Sequence, residues 1–209
     1  MQLTVAFDAF TPVARWGELF HVLRLERPDL SLAWRPAGFP RRDRPLLDAT
    51  DDAALFVAPP PEEGLSAVTL DESRMVVVLA VGHPLATNHE LRVADILGAP
   101  FPGGADLRPD WRAFWTLDCR RGGPPELVDD VSDAREGLEV VVSGRAIGTV
   151  PSWAAGALAH PGVVALPLAD APAVPTKLLW RSADDRDAVR GLVELARAWT
   201  KPLGRRFER

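Results

Sequence analysis

The N-terminal part of this chain switches between two hydrophobic periods in a fixed order, and that order leaves few folds open. Leu3 to Phe7 is a short apolar run ending at Asp8, which reads as a buried strand. Thr11 and Pro12 follow, with the residue types of a helix cap and a first helical position. Val13, Trp16, Leu19, Phe20 and Leu23 then recur at helical spacing up to Arg27, and Pro28 stops the helix. Leu30 to Arg35 alternates as a second strand. The basic stretch Arg41-Arg42-Asp43-Arg44-Pro45 opens a short helix ending near Asp48, and Ala53 to Ala58 is a third strand closed by Pro59-Pro60-Pro61. A β-α-β-α-β order predicts a parallel sheet with right-handed crossovers.

Beyond this unit come two extended segments, 65–70 and 74–81, the second ended by Gly82-His83-Pro84. A short helix is expected over 91–97. The glycine turn Pro102-Gly103-Gly104 leads to a helix carrying Trp111, Phe114, Trp115 and Leu117. A strand is expected over 126–131. Asp133 stands three residues before Glu136, a capping-box spacing, and opens a helix through Val142. A strand over 146–150 and a helix from Pro151-Ser152 to near His160 follow, then strands at 163–168 and 176–180. The last helix, Asp187 to Trp199, gathers Val189, Leu192, Val193, Ala196 and Trp199 on one face. The pattern predicts two β/α lobes, one inserted in the other. Residues 1–75 with 165–209 form lobe I, and residues 76–164 form lobe II.

Composition removes several classes of function. The chain has 209 residues, 24 basic against 29 acidic side chains, and a formal charge of −5. A net acidic chain lacks the clustered cations that phosphate contacts require, which argues against nucleic-acid binding by this segment alone. The single cysteine, Cys119, allows no internal disulfide and no cysteine-rich zinc site. No basic region followed by a long apolar run opens the chain, so a cytoplasmic location is expected. The apolar stretch Met75 to Val81 is far shorter than the roughly 20 residues of a membrane span.

Catalytic signatures are equally sparse. The sequence contains no phosphate loop, dinucleotide fingerprint, serine elbow or zinc-protease helix. His83 and His89 flank a proline turn without a carboxylate at ligand spacing, so no metal and no cofactor are expected. Cys119, beside Asp118 and Arg120, reads as a helix-end packing residue. Strand alternation is expected to turn Asp129 and Asp130 to opposite faces, and Asp133 reads as a helix cap. Most of Trp16, Trp111, Trp115, Trp153 and Trp199 fall at core-facing helical positions. What remains is three strand-to-helix entries: Asp8-Ala9-Phe10-Thr11-Pro12, Val131-Ser132-Asp133 and Val150-Pro151-Ser152. In open α/β sheets, ligands bind outside the carboxyl ends of strands, where helix N-termini attract anions. An ordinary capping role accounts for each entry singly.

Several segments together carry a resemblance. They are Arg27-Pro28-Asp29-Leu30, Val78-Leu79-Ala80-Val81-Gly82-His83-Pro84-Leu85-Ala86, Leu91-Arg92-Val93-Ala94-Asp95-Ile96-Leu97, and Val142-Ser143-Gly144-Arg145-Ala146-Ile147-Gly148-Thr149-Val150-Pro151. With the opening strand, Thr11-Pro12 and Trp16, the chain resembles the effector-binding domain of LysR-type transcriptional regulators over nearly its whole length. The resemblance implies a type 2 periplasmic-binding-protein-like α/β fold, with two Rossmann-like lobes joined by two crossover strands and a small effector between them. It places Asp8, Phe10, Thr11, Pro59, Gly103, Gly104, Ser132, Asp133, Thr149 and Pro151 at the ligand. Asp133, and Asp8 where it faces the ligand, disfavour an anion, so an amine-bearing, neutral or zwitterionic effector fits as well as a carboxylate. The resemblance also implies a homo-dimer or tetramer, no catalysis, and no membrane. The winged helix-turn-helix and linker helix of such regulators are absent from this sequence, so DNA contact is expected through a domain missing from this chain, which reads as a truncation. Two other readings use the same fold: a solute-binding protein of a transporter, marked by an export signal, and an enzyme, which needs an acid and a base facing each other. Asp8, Asp106 and Asp133 are the carboxylates available for the last.

Overall fold

A computed structural model of the chain describes residues 2–8, 16–37, 44–57, 63–104 and 107–200. In chain order the elements are β1 (Gln2–Asp8), α1 (Gly17–Glu26), β2 (Ser31–Ala37), α2 (Arg44–Leu47), β3 (Ala53–Val57), β4 (Leu65–Ser73), β5 (Met75–Ala80), α3 (Val93–Ile96) and β6 (Phe101–Gly103). Then follow α4 (Pro109–Trp115), α5 (Asp118–Arg121), β7 (Leu127–Asp130), α6 (Ala134–Val142), β8 (Gly148–Pro151), α7 (Ala154–Ala157), β9 (Val163–Pro167), β10 (Val174–Arg181) and α8 (Asp187–Thr200). They divide into two compact units. The first holds residues 1–37, 42–72 and 175–209, and the second holds 38–41 and 73–174. The helix entry expected at Thr11-Pro12 and the strand end at Pro59 lie outside the described residues.

The first unit is built on a sheet of order β2-β1-β3-β10-β4. β1 runs parallel to both neighbours, Val5 standing opposite Trp34 on one side and Ala53 on the other, as the β-α-β-α-β order requires. β10 is antiparallel to β3, with Leu178 opposite Leu55. Every residue of β3 is buried, which is what a central strand covered on both faces needs. Its alternate residues therefore serve two cores. Ala53 and Leu55 pack with Leu3, Val5, Leu178 and Trp180 against Leu19, Phe20 and Leu23 of α1 and Leu192, Val193 and Ala196 of α8. Ala54 and Phe56 turn to the other face, beside Ala6, Leu46, Leu65 and Leu179. The apolar stripe of α8 follows from its spacing, and Arg27 at the end of α1 pairs with Asp187 at the start of α8 at 2.9 Å.

The second unit departs from an all-parallel lobe. Its larger sheet has the order β8-β5-β9, and β5 pairs antiparallel with both neighbours. All six residues of β5 are buried, so an uninterrupted Met-Val-Val-Val-Leu-Ala run is the sequence expected of it. Because Val163–Pro167 lies along β5, this strand belongs to the second unit, and the chain returns to the first only at 174/175. The expected return near 165 is thus displaced by one strand. A smaller parallel sheet joins β6 to β7. The segment read as a glycine turn at Pro102-Gly103 is β6 itself, since Phe101 and Pro102 pair with Leu127 and Val128.

Three other expectations need correction. Gly103 pairs with Asp130, which skips Asp129, and Asp129 takes a positive φ of 52°. This bulge breaks the simple alternation invoked for Asp129 and Asp130, and it releases Asp129 to pair with Arg145 at 2.6 Å. Pro151 does not open a helix. It ends β8 opposite Met75, the Ser152 N–H continues the contact by donating to the Arg74 carbonyl at 2.8 Å, and α7 is only Ala154–Ala157. Cys119 is exposed on α5, not the packing residue expected there. The tryptophans divide: Trp16, Trp111 and Trp115 are buried, whereas Trp153 and Trp199 are partly exposed.

Candidate functional site

Four of the expected residues meet at the carboxyl ends of β6 and β7. The Val131 N–H donates to the Gly103 carbonyl at 3.2 Å, holding the two strand ends side by side just before the chain enters α6. The close approach explains both glycines. A Cβ on Gly103 would stand 2.8 Å from the Asp129 carbonyl oxygen, and one on Gly104 would stand 2.6 Å from the Leu107 side chain. Gly103 takes no side chain without its neighbour's backbone moving, and Gly104 none without the partly buried Leu107 side chain giving way. Gly103, Gly104, Ser132 and Asp133 are therefore neighbours at one end of one small sheet.

The donors of that helix entry are already engaged. The Asp133 Oδ1 accepts the N–H groups of Arg135 at 2.8 Å and Glu136 at 2.9 Å. The Glu136 Oε2 reaches back to accept the Ser132 N–H at 2.6 Å and the Ser132 hydroxyl at 2.8 Å. Asp133 caps the helix as its spacing to Glu136 predicts, but the return bond falls one residue earlier than the capping-box pattern, on Ser132 instead of Asp133. Two carboxylates thus occupy the positive end of α6, where an anion would otherwise be held. The sequence signals the first carboxylate. The target of the second depends on the turn at 131–133.

The remaining expected residues are placed as follows. Thr149 and Pro151 lie on β8 and both are buried. The Thr149 hydroxyl donates to the Trp115 carbonyl at 2.5 Å, so its polar atom serves the packing of α4 against β8. The backbone of Asp8 pairs with Ala37 at the end of β1. Phe10, Thr11 and Pro59 lie outside the described residues, as does Asp106. Among the described residues no group of three or more His, Cys, Asp or Glu side chains is arranged to hold a metal ion. Among them, too, no helix is long and apolar enough to cross a membrane.

The fold agrees with what comparison with known proteins finds. The chain belongs to the LysR substrate binding domain family, whose model matches residues 2–201. It is a ligand-sensing regulatory domain of the LysR type, with the type 2 periplasmic-binding-protein-like fold. Among solved structures it is similar to the effector binding domain of QuiR in complex with shikimate, at 18% identity and a TM-score of 0.77, covering 97% of this chain and 98% of that one. It is similar also to the BenM effector binding domain with its effector benzoate, at 17% identity and a TM-score of 0.70, covering 94% and 90%. Full-length CbnR complexed with its target DNA matches at 18% identity and a TM-score of 0.71, over 96% of this chain and 71% of that chain. No curated protein matches the chain.

Proposed function

We propose that this chain is the cytoplasmic sensing half of a transcriptional regulator. It holds a small metabolite, releases it chemically unchanged, and passes the occupancy to a DNA-bound homo-oligomer. The family match across residues 2–201 carries the reading. Gly103, Gly104, Ser132, Asp133, Thr149 and Pro151 would lie at the effector on the second unit, with Asp8, Phe10, Thr11 and Pro59 at it on the first. A ligand that favours one conformation shifts the population toward it, and the shift is bounded by its differential affinity.

The chemistry of the α6 entry narrows the effector. With Asp133 and Glu136 accepting the local N–H groups, a ligand group placed there meets carboxylate oxygens, which favour a donor such as an amine or hydroxyl. QuiR is described with shikimate and BenM with benzoate, both carboxylates; a hydroxylated, neutral or zwitterionic effector fits this chain at least as well.

Thermal-shift titration against a panel of amines, sugars, amino acids and aromatic acids tests the proposal, with duplex DNA as a separate arm. The expected result is saturable stabilisation by at least one metabolite, worth about 2.7 kcal/mol at a hundredfold excess over Kd. That metabolite is recovered unchanged by mass spectrometry, and DNA has no effect. Turnover of the ligand, or tight DNA binding by this chain alone, would overturn it.

A further inference from the structure

The second unit contains a long stretch without charge. From Ala146 to Ala169, between Arg145 and Asp170, there is no Asp, Glu, Lys or Arg, in a chain of which these four make up 25%. Part of this stretch is exposed, including Ala159, His160, Pro161 and Ala165. It forms a groove of about 470 Å³ along one side of α7, lined by Val78 of β5, by Ala155, Leu158 and Ala159, and by Val163, Val164 and Ala165 of β9. The volume is that of a small-molecule pocket, for which about 300–1,000 Å³ is usual.

One polar group stands at its rim, and its hydrogen-bonding sense is fixed. The Nδ1 of His160 accepts the Gly162 N–H at 3.0 Å. In a neutral imidazole this leaves the ring proton on Nε2, so His160 presents a donor. The turn is built to hold the ring there. A Cβ on Gly162 would stand 3.0 Å from His160 Nδ1 and 3.1 Å from Val142 Cγ1, so any side chain would push against both. Among the described residues, no acceptor faces the other ring nitrogen. A single directed donor beside an otherwise apolar, uncharged slot is the usual composition of a site that orients a small, mostly apolar ligand.

The groove is separate from the strand-end site. None of its lining residues is among those expected at the effector, and Thr149, which stands opposite Val77 beside Val78, turns its hydroxyl to the Trp115 carbonyl. We propose that this groove is an accessory binding site for an uncharged ring-sized molecule bearing one hydrogen-bond acceptor, seated on Val78 and Leu158 with its acceptor on His160 Nε2. The proposal stands independently of the effector reading, because the groove shares no lining residue with the positions expected at the effector.

Methyl-resolved NMR of the whole chain, titrated with acetophenone, tests it, with ethylbenzene and benzoate as the acceptor-free and charged probes. Acetophenone is expected to shift the methyl signals of Val78, Leu158, Val163 and Val164 saturably, and to bind several-fold more tightly than either control. Ala159→Phe, a change at an exposed lining position, is expected to abolish these shifts. His160→Phe is expected to bring acetophenone down to the affinity of ethylbenzene while leaving ethylbenzene itself unchanged. Overturning results are the absence of saturable shifts, shifts confined to Thr149 and Val150, equal affinity for all three probes, or insensitivity to both substitutions.

Discussion

Both units pair arginine with aspartate, but only the first gathers these pairs around a fully buried carboxylate. In the first, arginine and aspartate are bound into one lattice around the turn before β3. Asp51, fully buried, takes the Arg35 guanidinium in two hydrogen bonds, one of them 2.7 Å from Nε. Arg181 of β10 donates to the backbone carbonyls of Leu46 at 2.9 Å and Asp51 at 2.6 Å, and it pairs with Asp184 at 2.5 Å. Arg186 bridges Asp184 and Asp52, and Asp52 in turn accepts the Thr4 N–H at 2.7 Å. Four separate parts of the chain are thereby fixed to one another. In the second unit the helices α3, α5 and α7 are four residues each, the charged groups at α6 are exposed, and a long segment has no charge. The first unit spends its polar groups on its own framework. The second keeps strand ends, a helix entry and a groove accessible, which is what recognition needs.

The contrast breaks most sharply at Arg35. Arg35→Met is expected to destabilise the chain by about 3–5 kcal/mol, because it leaves the Asp51 carboxylate buried without its guanidinium. Adding Asp51→Asn should recover a large part of the loss. Urea denaturation of both variants measures this, and a cost below 1 kcal/mol would show that the lattice is no framework. Next in size is the response to acid. The Arg186 guanidinium beside Asp184 holds its carboxyl down at about 2, against an ordinary value of 3.8. A carboxyl depressed in the folded state contributes stability that is complete above about pH 4 and is lost as the pH falls toward 2. Wild type should therefore lose stability over that window faster than Asp184→Asn, read from unfolding midpoints at pH 5, 4, 3 and 2.5.

Much of the first unit's fold is legible in the sequence, and the reason is local. The strands at 2–8, 31–37 and 53–57 are uninterrupted runs of the right period, and a strand–helix–strand order permits one handedness. The second unit is less legible because its determinants are contacts between distant residues. Nothing in Pro102-Gly103-Gly104 announces a strand until Leu127 and Val128 lie beside it, and the bulge at Asp129 follows from that pairing alone. Val163–Pro167 has a strand's composition, but only its register with β5 assigns it to the second unit. At the site, the Asp133 cap follows from spacing to Glu136, whereas the turn of Thr149 toward Trp115 depends on where α4 packs. The family resemblance names residues at the ligand without indicating which of their polar atoms the fold has already used.

A smaller effect tests that last distinction. Thr149→Val keeps the shape of the side chain and removes its hydroxyl, leaving the Trp115 carbonyl without this donor in a buried place. The expected cost is about 1–3 kcal/mol in a denaturation experiment, with effector affinity unchanged. A loss of affinity without loss of stability would return the Thr149 hydroxyl to the ligand.

The smallest expected effect lies at the entry of α6, and there the choice of substitution separates structure from recognition. Asp133→Ala removes the acceptor of the Arg135 and Glu136 N–H groups and should cost about 0.5–2 kcal/mol. Asparagine is as good a cap as aspartate, so Asp133→Asn should leave stability within about 0.5 kcal/mol of wild type. What it does remove is one negative charge from the positive end of the helix, where a carboxylate ligand is otherwise favoured. Titration at low ionic strength with a carboxylate metabolite that stabilises the wild type should therefore show tighter binding to Asp133→Asn than to wild type, and the gain should shrink as salt is added. Equal binding by the two proteins would mean that this helix entry lies away from the effector, and the second unit's exposed carboxylates would then be surface features alone.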